Sequence, residues 1–218
     1  MELLEPMLKI LLINILLSGD NAIVIAMASR NLPAHLQKRS IRWGTFGAIA
    51  LRILFVFLMI NLLQLPFIQL IGGILLLYVA YKLLVDKHEN DQIKSGESLR
   101  EAVTIIIFAD VIMSLDNVLA VAAVADSDLI LVIAGIILSI PIILTASEFI
   151  LKLIQKYPVI IYMGAALLAW TAGKMMLKER RVSNFLELHG QSEFLLLIGI
   201  TLLTLIIGGL KRKQNLIT

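Results

Sequence analysis

Residues 65–84 read LPFIQLIGGILLLYVAYKLL, and residues 157–176 read YPVIIYMGAALLAWTAGKMM. Each is a predominantly apolar run of the length, ~20 residues, that an α-helix needs to cross the ~30 Å hydrocarbon core of a bilayer. The two runs also match each other at an offset of 92 (157 against 65). The match pairs Pro66 with Pro158, Gly72 with Gly164, Ala80 with Ala172 and Lys82 with Lys174. Apolar composition makes Leu and Ile coincide by chance, but it does not line up Pro, Gly and Lys in one order. A second pair extends the repeat. SGDNAIVIAMA at 18–28 matches SLDNVLAVAAV at 114–124 at an offset of 96 (114 against 18), which also sets Asn14 opposite Asp110.

The rest of the chain shares this apolar character. Of 218 residues, 59% are hydrophobic and 16% charged, against about 45–50% and about 25% in a soluble domain. The mean hydropathy is +0.93. A disordered chain and a water-soluble globule are excluded, since neither could hide so much apolar surface at this length. Aromatic residues are only 6%, so the excess is aliphatic, as in helical membrane proteins and not in β-barrels with aromatic girdles. The absence of cysteine removes disulfides, thiolate metal sites and thiol chemistry.

Seven apolar stretches are long enough to span, near Pro6–Ala28, Gly44–Leu63, Phe67–Val85, Ala102–Ala125, Leu129–Ile154, Val159–Leu177 and Phe194–Leu210. The expected fold class is therefore all-α, a polytopic membrane helical bundle. Residues 1–87 form a first three-helix unit, 88–101 a solvated cytoplasmic connector and 102–178 a second three-helix unit. Residues 179–218 hold a loop, a seventh helix outside the repeat and a basic tail. A three-span unit followed directly by another inserts upside down relative to the first, and inverted repeats are a transporter architecture with the site near the midplane. The first stretch follows Glu2 and Glu5, not a basic region, and lacks a cleavage pattern, so it reads as a retained helix and not a signal peptide.

Orientation follows from Lys and Arg. With the N-terminus outside, the inner loops hold Arg30, Lys38, Arg39, Arg42, Lys87, Lys94, Arg100, Lys152, Lys156, Lys211, Arg212 and Lys213. The outer loops hold Lys178, Arg180 and Arg181, which oppose the assignment. The balance favours an N-terminus outside and a C-terminus in the cytoplasm.

The polar residues within these spans carry the functional signal. Asn14, Ser18 and Asn21 share one helical stripe in span one, and Asp110, Ser114 and Asn117 share the same stripe in span four. Asp20 and Asp116 lie beside these stripes, each just before an Asn. A carboxylate deep in a bilayer costs at least ~2.5–3.5 kcal/mol, so three of them need a compensating partner. Two partners are open. Arg52, inside span two, would make a structural pair, with Ser and Asn acting as helix glue. A bound cation would make a transport site, with hard carboxylate and amide ligands that suit Mn²⁺, Mg²⁺ or Ca²⁺ alike. His35, His88 and His189 all fall in loops, which disfavours Zn²⁺ or Cu⁺. The expected metal ligands are Asp20, Asn21, Asp110, Asp116 and Asn117, with Asn14, Ser18, Arg52 and Ser114 in support. No tightly bound cofactor and no nucleic acid is expected; the partners are a divalent cation and the lipid bilayer, and a homo-oligomer is left open.

Further positions read more weakly. Gly19 weakens the helix beside Asp20 and could free carbonyls to join coordination. Ala22, Ala26, Ala28, Ala120, Ala122, Ala123 and Ala125 would let the motif helices approach closely. Glu148 reads as interfacial, Lys82 and Lys174 as snorkelling, and Pro141 as a kink in span five.

SGDN at 18–21 and FADVIMSLDNV at 108–118 resemble the TerC family of integral membrane proteins, in its bacterial YjbE-type branch. The resemblance runs from the first span through the seventh. It implies manganese export, with Asp20, Asp110 and Asp116 as the ion-handling residues; Asn14, opposite Asp110, makes the site asymmetric in charge. An intramembrane aspartyl protease is disfavoured, because such enzymes carry YD and GxGD where this chain has FAD and LSGD, so no enzyme is expected. A carrier exporting the metal by alternating access, coupled to protons released as the metal takes ionised oxygens, fits best. A cation channel and a membrane scaffold or sensing subunit remain the alternatives.

Overall fold

The computed structural model describes residues 12, 19–62, 66–85, 95–124, 129–179, 181–182 and 191–217. Among them lie seven helices: α1 (Gly19–Ser29), α2 (Ala34–Leu62), α3 (Ile68–Val85), α4 (Ser95–Val124), α5 (Leu129–Lys156), α6 (Val159–Lys178) and α7 (Gln191–Ile217). No strand occurs among the described residues. Four helices are long and apolar enough to cross a membrane by length and composition, over Ile68–Val85, Ile133–Lys156, Val159–Lys178 and Ser192–Gln214. The chain is an all-α membrane helical protein.

Each helix has its expected apolar stretch, but the ends differ. α2 begins at Ala34, well before Gly44, and α4 begins at Ser95, inside the expected connector. Hydropathy marks where a helix leaves the apolar phase, whereas backbone hydrogen bonding continues through polar helix-forming residues such as Gln37 and Lys38. Pro33 opens α2: its carbonyl accepts from the amides of Leu36 and Gln37, at 2.8 and 3.1 Å. Pro158 separates α5 from α6, because it has no N–H to continue the ladder. α5 runs through Pro141 as one helix, and Thr145 donates its hydroxyl to the Pro141 carbonyl at 2.6 Å. Ser147, Thr201 and Thr204 likewise bond to the carbonyl four residues earlier, satisfying hydroxyls that lipid could not.

The core is built on small residues. Ala26, Ala80, Ala109, Ala165, Ala169 and Ala172 have no exposed surface, and such positions let backbones approach without a hydrophobic drive between helices. The most extensive packing joins α3 to α6 and α2 to α4, followed by α1 to α5 and α6 to α7. Gly73 shows how close α3 and α6 come: a Cβ there would lie 2.7 Å from the Ala172 carbonyl oxygen. The outer surface is apolar, with Leu195, Leu203, Ile206 and Leu210 of α7 all exposed, which suits lipid and not water.

Named contacts give the directions of the helices. Gly73 faces Met176, and Arg181 stacks over Phe67 at 4.7 Å, so the start of α3 meets the end of α6. α1 and α4 are also antiparallel: Asn21 reaches Asp110, while Leu32, just past α1, packs on Ala102. α2 and α4 are parallel, since Gly44 meets Ile106 and Arg52 meets Asp110 and Ser114. α7 lies against the α3–α6 pair, with Gly208 on Leu84 and Phe194 edge-on to Trp170 at 5.7 Å.

Two basic residues read as loop or interface groups are engaged by the fold. Arg30 is buried, with Nη1 donating to the Met27 carbonyl at 3.3 Å. Lys82 pairs with Glu101 at 2.6 Å, tying α3 to α4.

Candidate cation site

α1, α2 and α4 bring Asn21, Arg52, Asp110 and Ser114 together, all buried. Asp110 and Ser114 project on one side of α4 because they are four residues apart. Asp110 stands near the middle of α4, and its nearest partners come from helices of the first sequence unit.

Asp110 Oδ1 accepts two hydrogen bonds, from Asn21 Nδ2 at 2.7 Å and Arg52 Nη2 at 2.5 Å. Arg52 also donates through Nε to Ser114 Oγ at 3.0 Å. Ser114 in turn donates to Asp110 Oδ2 at 3.3 Å. The guanidinium thus forks across one turn of α4, one prong on the carboxylate and one on the hydroxyl. The Arg52–Asp110 pair is an ion pair between side chains only 3% and 9% exposed. A pair so buried is held by its charge-assisted hydrogen bonds, and breaking it leaves an uncompensated charge.

Asp20 is half-buried beside this network and within electrostatic reach of Arg52 and Asp110. Its Oδ1 accepts the Asn21 amide at 3.0 Å. Asn21 Oδ1 is a buried acceptor without a hydrogen-bond partner among the described residues. Since the amide nitrogen is committed to Asp110, that oxygen is the lone-pair face of the amide. A buried acceptor left unpaired is costly, and a cation is one group that would satisfy it.

Of the expected ligands, the structure brings together Asn21 and Asp110 directly, with Asp20 alongside. Arg52 and Ser114, expected in support, are in direct contact with Asp110. The backbone of Asp116 and Asn117 lies in α4, and their side chains fall outside the described residues. Asn14 and Ser18 also lie outside the described residues. Asp116, six residues beyond Asp110, is turned by about 120° around α4 from it at ~100° per residue. Among the described residues no group of three or more His, Asp or Glu gathers as a metal cluster. The sequence reading missed Thr45, a buried hydroxyl on α2 with no partner among the described residues. It lies seven residues before Arg52, hence on the same helical stripe, and a lone Thr in an apolar helix gives little signal. The buried Ser29–Ser40 pair, 2.7 Å apart, was also missed; it pins the end of α1 to the start of α2.

The sequence pattern of the TerC family, described as integral membrane proteins, matches residues 2–216. The chain belongs to the integral membrane protein TerC family. It is 44% identical over 195 residues to the membrane protein YjbE of Bacillus subtilis (strain 168), covering 89% of each chain. It is 28% identical to the membrane protein YceF of the same organism, over 92% of this chain and 80% of that one. It is 26% identical to the membrane protein YkoY, also of that organism, over 74% of this chain and 56% of that one. No solved structure matches the TerC-family chain described here.

Proposed function

We propose that this TerC-family protein is a divalent-cation carrier that exports Mn²⁺ by alternating access. The observation that carries this reading is the buried junction of Asp110 with Asn21, whose Oδ1 has no partner among the described residues. A carboxylate and a free amide oxygen, from equivalent helices of the two sequence units, are hard ligands converging where the units meet. Asp20 adds a nearby carboxylate, and Asp116 and Asn117 complete the set in this reading. An anionic cargo would meet charge of the wrong sign.

The antiparallel contacts of α3 with α6, and of α1 with α4, support two inverted units around the site. Rocking of one unit against the other would expose the ion to each side in turn. In the favoured orientation the N-terminus is outside a bacterial plasma membrane and the basic tail is in the cytoplasm.

The test is ion flux in proteoliposomes containing the purified protein, with Mn²⁺, Mg²⁺ and Ca²⁺ in competition. Saturable Mn²⁺ flux, inhibited only weakly by Mg²⁺ and Ca²⁺, is the expected result. Flux that fails to saturate would make the protein a channel, and no flux of any of the three would remove the transport reading.

A further inference from the structure

We propose that Arg52 is a tethered counter-cation that alternates with the transported ion on Asp110, withdrawing to Ser114 when the ion binds. This rests on the cation-carrier reading and adds how the site loads and empties.

A carboxylate oxygen has two lone pairs in its plane. On Asp110 Oδ1 both are taken, by Asn21 Nδ2 at 2.7 Å and Arg52 Nη2 at 2.5 Å. A metal ligating that oxygen needs one of them. The amide can stay, because its own Oδ1 has no partner among the described residues and would turn toward the ion. The guanidinium cannot stay, because a divalent ion and Arg52 would then face each other across one oxygen in a medium of low dielectric. An ion ligating Oδ1 and the Arg52–Asp110 contact therefore exclude one another, and this is the mode of binding proposed.

The second prong of Arg52 gives the displaced charge a place to go. Nε already lies 3.0 Å from Ser114 Oγ, one turn beyond Asp110 on α4. Releasing Nη2 while keeping Nε asks for rotation of the guanidinium and not for its removal from the core. Ser114 is fully buried and holds Asp110 Oδ2 only through a long 3.3 Å bond, so its hydroxyl is free to follow Arg52. When the ion leaves, Arg52 returns and neutralises Asp110. An internal cation that competes in this way weakens apparent metal affinity and speeds release, which an exporter needs.

The experiment measures Mn²⁺ affinity and Mn²⁺ flux on the full chain, in nanodiscs and proteoliposomes respectively, for the unaltered protein, Arg52→Gln and Ser114→Ala. If the arrangement with Asp110 free of Arg52 is populated at about a tenth, removing the competitor tightens apparent binding about tenfold. Arg52→Gln should accordingly lower both the dissociation constant and the KM, and lower maximal flux because release slows. Ser114→Ala keeps the Arg52–Asp110 pair but removes the resting place, so it should weaken Mn²⁺ binding several-fold. It also serves if Arg52→Gln fails to fold. Unchanged or weaker binding in folded Arg52→Gln, or unchanged binding in Ser114→Ala, would overturn the proposal and leave Arg52 a structural partner. Absence of Mn²⁺ binding in the unaltered protein would instead refute the cation-carrier reading beneath it.

Discussion

Asp110 and Arg52 stand opposite each other with their side chains almost wholly buried, so each depends on the other. Asp110→Asn keeps the shape of the side chain but leaves Arg52 buried and uncompensated. That substitution should cost about 3–5 kcal/mol of stability, and Asp110→Asn with Arg52→Gln should recover most of it by removing both charges. Denaturant unfolding in detergent reads this, and equal stability of the single and unaltered proteins would show that the pair holds nothing. The residues of this network stood out in the sequence because Asp, Asn and Arg are expensive in apolar spans, and the repeat put Asp110 and Asn21 in related places. Their partnership was not legible. Arg52 faced three candidate carboxylates, and it is the parallel packing of α2 on α4 that brings it to Asp110. Nor does sequence tell which face of the Asn21 amide is left open.

Helix positions were read correctly wherever an apolar run of about 20 residues forced them, as in α3, α5 and α6. The starts of α2 and α4 were placed late, because the residues before Gly44 and Ala102 are polar yet good helix formers. The choice of packing partners was not legible either, because small residues fall on several faces of each helix. Gly73 marks the tightest of these contacts. Gly73→Ala would drive a Cβ to 2.7 Å from the Ala172 carbonyl oxygen and into Met176 Cγ, and overpacking of this kind costs about 1–3 kcal/mol. Gly199→Ala on the outer face of α7 meets nothing within 4 Å and should be neutral or stabilising by up to about 1 kcal/mol. Thermal unfolding of the two variants side by side is the check; equal behaviour would contradict the close α3–α6 approach.

For the whole molecule, the expectation of a repeat rests on Pro, Gly, Lys and the Asp-Asn pairs recurring in order. The two-unit inversion is part of the proposed carrier reading, and the contacts of α1 with α4 and of α3 with α6 are antiparallel. In this reading Arg52 offsets one of the three motif carboxylates and leaves two, so metal binding should release protons where one of those is protonated beforehand. With protons entering from a more acidic exterior, the metal would be driven outward. Imposing a pH gradient across proteoliposomes at clamped voltage, while following Mn²⁺ and luminal pH together, should show opposite movements of metal and protons. Mn²⁺ movement at an unchanged rate with no proton countermovement would exclude proton exchange.

The most direct test of the carrier site is Mn²⁺ flux through Asp20→Asn and Asp116→Asn, with the connector variant Asp91→Asn as control, at equal reconstituted amounts. Asp20 and Asp116 are the motif carboxylates other than Asp110, whose own loss would break its buried ion pair with Arg52. Flux should fall about tenfold or more in both motif variants, as loss of one charged ligand from a buried site implies, and stay unchanged in Asp91→Asn. Equal flux in all three variants would contradict the assignment of the motif carboxylates as the path of the ion.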